Sequence, residues 1–129
     1  YRDQSETIEV QSISLDEYFS TRERRIDLMK IDAEGSEPYI FRGMTNLIGA
    51  NPSLVIICEF APALITGAGS DPRVFLEHIM SHGFLLRYIS PVSNLISATV
   101  EELLTMAHCE LFLTRANSRR SAPSTRRQP

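Results

Sequence analysis

Two short apolar runs in this chain of 129 residues each end in acidic residues, and an amphipathic stretch separates them. Ile26 to Ile31 leads into the polar turn Asp32-Ala33-Glu34-Gly35, and Leu54 to Cys58 leads into Glu59. Between them Ile40, Phe41, Met44, Leu47 and Ile48 recur at helical spacing and predict one buried helix face. Ser36 stands where an N-cap belongs, Pro38 fits the first turn, and Asn51-Pro52 stops the helix. Strand, turn, helix and strand in that order restrict the chain to an α/β layered domain with mostly parallel strands. The unbroken apolar run at Leu54 to Cys58 predicts a strand covered by helices on both faces.

The remaining segments extend the pattern. Ile8, Val10 and Ile13 form a short extended apolar stretch ending at Ser14, and Ser14 with Glu17 reads as a capping box for a short helix. Ala61 to Ser70, rich in Gly, Ala and Pro, predicts a loop in which Gly67-Ala68-Gly69 acts as a flexible lid or connector. Asp71-Pro72 opens a further helix with Phe75, Leu76, Ile79 and Met80 on its buried face and Gly83 as its stop. Leu85 to Ile89 predicts a strand, Thr99 with Glu102 another capping box, and Glu110 to Thr114 the final strand. From Ala116 onward the Ser-, Arg- and Pro-rich sequence predicts a disordered tail, 116–129, behind a domain spanning 1–115. The chain starts at Tyr1, which reads as a piece of a longer protein.

Charge narrows the function classes. The net charge is −3, and all sixteen Asp and Glu precede Arg115, whereas Arg119, Arg120, Arg126 and Arg127 sit at the end. An acidic body argues against a nucleic-acid face, which needs clustered Lys and Arg. No apolar run approaches the roughly 18 residues that span a bilayer, so no membrane partner is expected. Cys58 and Cys109 lie in strand-like runs and read as core thiols of a reducing compartment, favouring the cytoplasm.

Ligands of open α/β sheets bind beyond the carboxyl ends of the strands. If the two acid-tipped strands are neighbours, Asp32, Glu34 and Glu59 converge on one rim. Such a trio could hold a metal, take a proton from a hydroxyl, or contact a cationic cofactor. It could also be solvated, or cap helix N-termini. Lys30, two residues before Asp32, shares its sheet face and reads as a salt-bridge partner. His78 and His82 have the i, i+4 spacing of a zinc pair, but no third ligand is evident, so they read as surface histidines. Tyr18, Tyr39 and Phe60 read as packing residues.

The run from Ile26 to Glu37, with Lys30-Ile31-Asp32-Ala33-Glu34-Gly35 at its centre, resembles the central motif of FkbM-type methyltransferases. Ser14 to Tyr18 resembles the upstream Leu-Asp segment, Phe41-Arg42-Gly43 the helix's Leu-x-Gly, and Pro52 with Val55 to Phe60 the next strand with its terminal Glu. The resemblance covers residues 14 to 60. It implies the C-terminal half of a Rossmann-like class I methyltransferase sheet, mostly parallel with an antiparallel last strand. It further implies methyl transfer from S-adenosylmethionine to a small-molecule hydroxyl acceptor on a sugar or secondary metabolite. Asp32, Glu34 and Glu59 become the expected catalytic residues, with Asp32 and Ala33 beside the cofactor and no metal assigned. The family's first strand, its glycine-rich turn and its ribose-binding acid have no counterpart. The expected partner is therefore the missing N-terminal half of the same domain, and the chain alone is expected to be inactive.

Overall fold

The structure is a computed structural model that describes residues 6–116. The predicted disordered tail, apart from Ala116, lies outside the described residues. In chain order the elements are α1 (Leu15–Tyr18), β1 (Leu28–Ile31), α2 (Glu37–Arg42), α3 (Thr45–Ala50), β2 (Val55–Phe60), α4 (Pro62–Gly67), α5 (Pro72–Ser81), β3 (Arg87–Ile89), β4 (Leu95–Ser97), α6 (Val100–Leu104) and β5 (Cys109–Leu113). None of the described helices is long and apolar enough to cross a membrane.

The five strands form one mixed sheet in the order β1-β2-β5-β3-β4. Among the described residues only β1 and β2 pair in parallel. β5 enters antiparallel between β2 and β3, and β3 pairs antiparallel with β4. The last strand is thus antiparallel as expected, but a mostly parallel sheet is not what forms. Two of the three antiparallel pairings come from inserting β5, and the third from a β3–β4 hairpin that the sequence does not announce. Its connection is tight: Ser90 N–H donates to the Asn94 carbonyl at 2.8 Å, and Ser93 takes φ 61°.

The core lies on one face of the sheet. Ile56, Cys58 and Phe60 of β2 pair with Leu113, Leu111 and Cys109 of β5, and all six are buried. Paired residues share a face, so these six form one apolar layer. Phe41, Met44, Leu47, Ile48, Ile65, Phe75, Leu76, Ile79 and Leu103 from the helices join them in a single core cluster. The opposite face is thinly covered: Val55, Ile57 and Phe112 are only half-buried, and Leu28 on β1 is 60% exposed. The expectation of helices on both faces therefore fails for the described residues.

The predicted single helix after Gly35 is broken into α2 and α3. The Gly43 carbonyl accepts the Asp16 N–H at 2.8 Å, and a Cβ on Gly43 would press on the Ser14 side chain. Asp16 then accepts the Asn46 and Leu47 N–H groups at 3.0 and 2.9 Å, giving α3 a new N-terminus. Carboxylates there satisfy orphan donors and meet the positive end of the helix dipole. Asn51 closes α3 by bonding Ile26 N–H, the Arg24 carbonyl and the Leu47 carbonyl, tying the helix end to the entry of β1.

Other differences are local. Ile8, Val10 and Ile13 are exposed and lie in no strand. Residues 62–67, expected as loop, form α4, since Pro62 suits the first helical turn and Ala63, Leu64 and Ile65 tolerate helix. Gly67-Ala68-Gly69 ends that helix instead of forming a free lid: Tyr39 Oη donates to the Ala68 carbonyl at 2.9 Å. Met80 is 49% exposed, not buried. Asp71 caps α5, and the Thr99–Glu102 box caps α6 with both reciprocal bonds formed.

Candidate active site

The carboxylate rim follows from strand register. Ile31 pairs with Cys58, so Asp32 continues opposite Glu59 on the same sheet face. Glu59 lies inside β2, one residue from its end, not after it as the apolar run suggested. One carboxylate oxygen each from Asp32, Glu34 and Glu59 lies within 4.8 Å of the others. All three predicted residues therefore meet.

The turn that delivers Glu34 is pinned on both sides. Glu34 takes φ 51° and Gly35 φ 98°, and a Cβ on Gly35 would collide with the Leu64 carbonyl of α4. Glycine is needed there for conformation and for the close approach of α4. Glu37, only 1% exposed, accepts the Ala33 N–H at 2.7 Å, and the Ala33 carbonyl accepts Ser36 N–H at 3.0 Å. Ala33's N–H is thus committed to the turn. Ser36 makes no side-chain cap bond; its expected role passes to Glu37 bracing the turn from inside.

Asp32 and Glu34 are exposed, whereas Glu59 is 8% exposed. Burial pushes the Glu59 carboxyl above its usual range, followed by a hydrogen bond with Asp32 and the charges of Asp32, Glu34 and Glu37. Lys30 Nζ lies 3.7 Å from Asp32, the expected salt bridge, but on an edge strand open to water and not inside a buried one.

Two neighbours were not legible in the sequence. His108 Nε2 sits 3.2 Å from Glu59 Oε1 and 4.0 Å from Glu110 Oε1. Glu110 is the cross-strand partner of Glu59. Both reach the rim because β5 runs antiparallel beside β2 and starts where β2 ends; no spacing rule predicts that. Oε2 of Glu59 and of Glu110 are buried without a partner among the described residues. Beside them opens a groove of about 370 Å³ lined by Tyr88, Ser90, Pro91, Met106, His108 and Glu110.

The rim carries more negative than positive charge, which suits a cation. Its three converging oxygens have the hard-donor character of a magnesium or manganese site. They suit a sulfonium equally well. His78 and His82 join no such set of three or more ligands among the described residues. Cys58 and Cys109 are free thiols; burial pushes both up, Cys109 to about 11, so neither is a nucleophile at neutral pH.

The family model described as the methyltransferase FkbM domain matches residues 1–97 of the 129. No curated protein and no solved structure matches the chain. The matched stretch contains both acid-tipped strands, the braced turn and Glu59, while His108 and Glu110 lie beyond it. On that match across most of its length, the chain belongs to the FkbM methyltransferase domain family.

Proposed function

We propose that this domain transfers a methyl group from S-adenosylmethionine to a hydroxyl oxygen of a sugar or secondary metabolite. The sheet is, in this reading, the C-terminal half of a Rossmann-like methyltransferase sheet. The observation that carries the proposal is the convergence of Asp32, Glu34 and Glu59 from two adjacent parallel strands, with Glu59 buried. S-adenosylmethionine supplies an electrophilic methyl on a cationic sulfur. The rim fits that cationic end, whereas a glycine-rich turn for the rest of the cofactor has no counterpart among the described residues.

Each residue then has a task. Asp32 or Glu34, both exposed, would orient the acceptor hydroxyl and take up its proton when the methyl is transferred. Glu59, buried, brings a carboxylate oxygen within 4.8 Å of those of Asp32 and Glu34 and sets the electrostatics around them. The groove beside His108 offers the acceptor a partly apolar wall in Tyr88, Pro91 and Met106. Alignment of the hydroxyl with the methyl supplies much of the rate. The same three carboxylates are able to hold a divalent cation that would position the hydroxyl. The test is Asp32→Asn and Glu34→Gln in the complete enzyme: loss of a base costs about 10² to 10⁴ in kcat. Wild-type turnover in both variants removes them from the mechanism.

A second reading, a non-catalytic fragment seated on another chain or domain, gains support from the open side of the sheet. β1 is an edge strand with Leu28 exposed, and the face carrying Val55, Ile57 and Phe112 is half-covered. An unpaired edge of this kind seeks a strand. In the methyltransferase reading that strand belongs to the N-terminal half of the same domain. The free thiols at Cys58 and Cys109 support a reducing compartment such as the cytoplasm.

A further inference from the structure

His78 and His82 stand one helical turn apart at the end of α5, His78 in its last turn and His82 as its C-cap. Their Nε2 atoms are 3.1 Å apart and their rings are tilted by 48°. Two neutral imidazoles at this distance share one N–H···N bond, one ring donating and the other accepting. The spacing also matches a chelate. Two nitrogens about 2.05 Å from one zinc-sized ion are about 2.9 Å apart at a right angle and about 3.3 Å apart at the tetrahedral angle.

We propose that His78 and His82 form a two-nitrogen site for a borderline divalent transition ion of the zinc, nickel or copper class. Both rings are half-buried, so little side-chain freedom remains to be lost on binding. His82 is held in place through its backbone, whose N–H donates to the Ile79 carbonyl at 3.2 Å. Binding needs both Nε2 lone pairs, so the donating ring moves its proton to Nδ1 through solvent, with no net proton released from a neutral pair. No third protein ligand joins them among the described residues, leaving the other positions to water or an incoming ligand. The positive charge of Arg115 acts on the His82 ring and opposes the ion. Imidazole selects this class of ion, whereas the carboxylate rim selects hard cations. The inference is independent of methyl transfer.

Zinc chloride and nickel chloride titrated into the full chain test it, read by calorimetry and by long-range proton–nitrogen NMR of the imidazoles. The chain has three histidines, so each is resolvable. The expected result is one saturable site in which the Nε2 signals of His78 and His82 move and those of His108 do not. His78→Gln should weaken binding by more than the roughly tenfold that losing even an outer partner of a metal ligand costs. Asp32→Asn/Glu34→Gln should leave it unchanged. Circular dichroism confirms that each variant folds, and His82→Gln serves as the second ligand variant. Absence of saturable binding up to millimolar metal, or binding that survives His78→Gln, or binding lost with the carboxylates, overturns the proposal.

Discussion

Glu59 sets the electrostatics of the rim, and its position in the sheet sets Glu59. The residue falls on the thinly covered face of β2, opposite Asp32 on one side and Glu110 on the other. Burial and neighbouring carboxylates raise its pKa, so the folded chain keeps a proton that the unfolded chain loses. This contribution is neutral below the ordinary carboxylate pKa and turns unfavourable as pH rises through the window up to the raised value. Glu59→Gln should therefore remove a fall in stability across mildly acidic pH, measured by urea unfolding at several pH values. An unchanged pH profile would contradict the assignment. Gly35 makes the complementary test of geometry. Gly35→Ala meets the Leu64 carbonyl and a left-handed φ, and should cost about 2–3 kcal/mol. At this scale Asp32, Glu34 and Glu59 were legible because acidic residues at the ends of neighbouring parallel strands must meet. Glu37's inward role and His108's contact were not, since each depends on folding that local spacing does not encode.

The elements show where local pattern loses to tertiary contact. The apolar spacing from Ile40 to Ile48 is continuous, yet the helix breaks at Gly43 because α1 docks there and Asp16 captures the first N–H groups of α3. Asp16→Ala should destabilise the fold by about 1–2 kcal/mol, the range for losing a helix cap. Asp16→Asn, which can still accept a hydrogen bond, should recover part of that loss in thermal melts. The strongest cap signals, Asp71 and Thr99–Glu102, give α5 and α6 as expected. Those caps are satisfied within four residues, so no distant contact competes with them. α4 was masked by the glycines that end it, and β4 by its shortness and exposure.

For the whole molecule, one covered and one thinly covered sheet face define what the chain needs. The α/β class was legible from alternating strands and helices, but the balance of parallel and antiparallel pairs was not. That balance depends on where β5 inserts. With the outer edge of β1 unpaired among the described residues, the isolated chain should associate at high concentration, seen as concentration-dependent elution in size exclusion; a strictly monomeric profile would speak against an unsatisfied edge. The isolated chain should also bind S-adenosylmethionine more weakly than micromolar by calorimetry. In the proposed reading the acidic rim would hold only the cofactor's cationic end.

The central claim is that Asp32 and Glu59 are electrostatically one site. Carbon-detected NMR titration of the glutamate and aspartate carboxyls, in the wild-type chain and in Asp32→Asn, tests it most directly. Glu59 should titrate above the ordinary carboxylate range and shift downward when Asp32 loses its charge. An ordinary Glu59 titration that ignores Asp32→Asn would contradict the account.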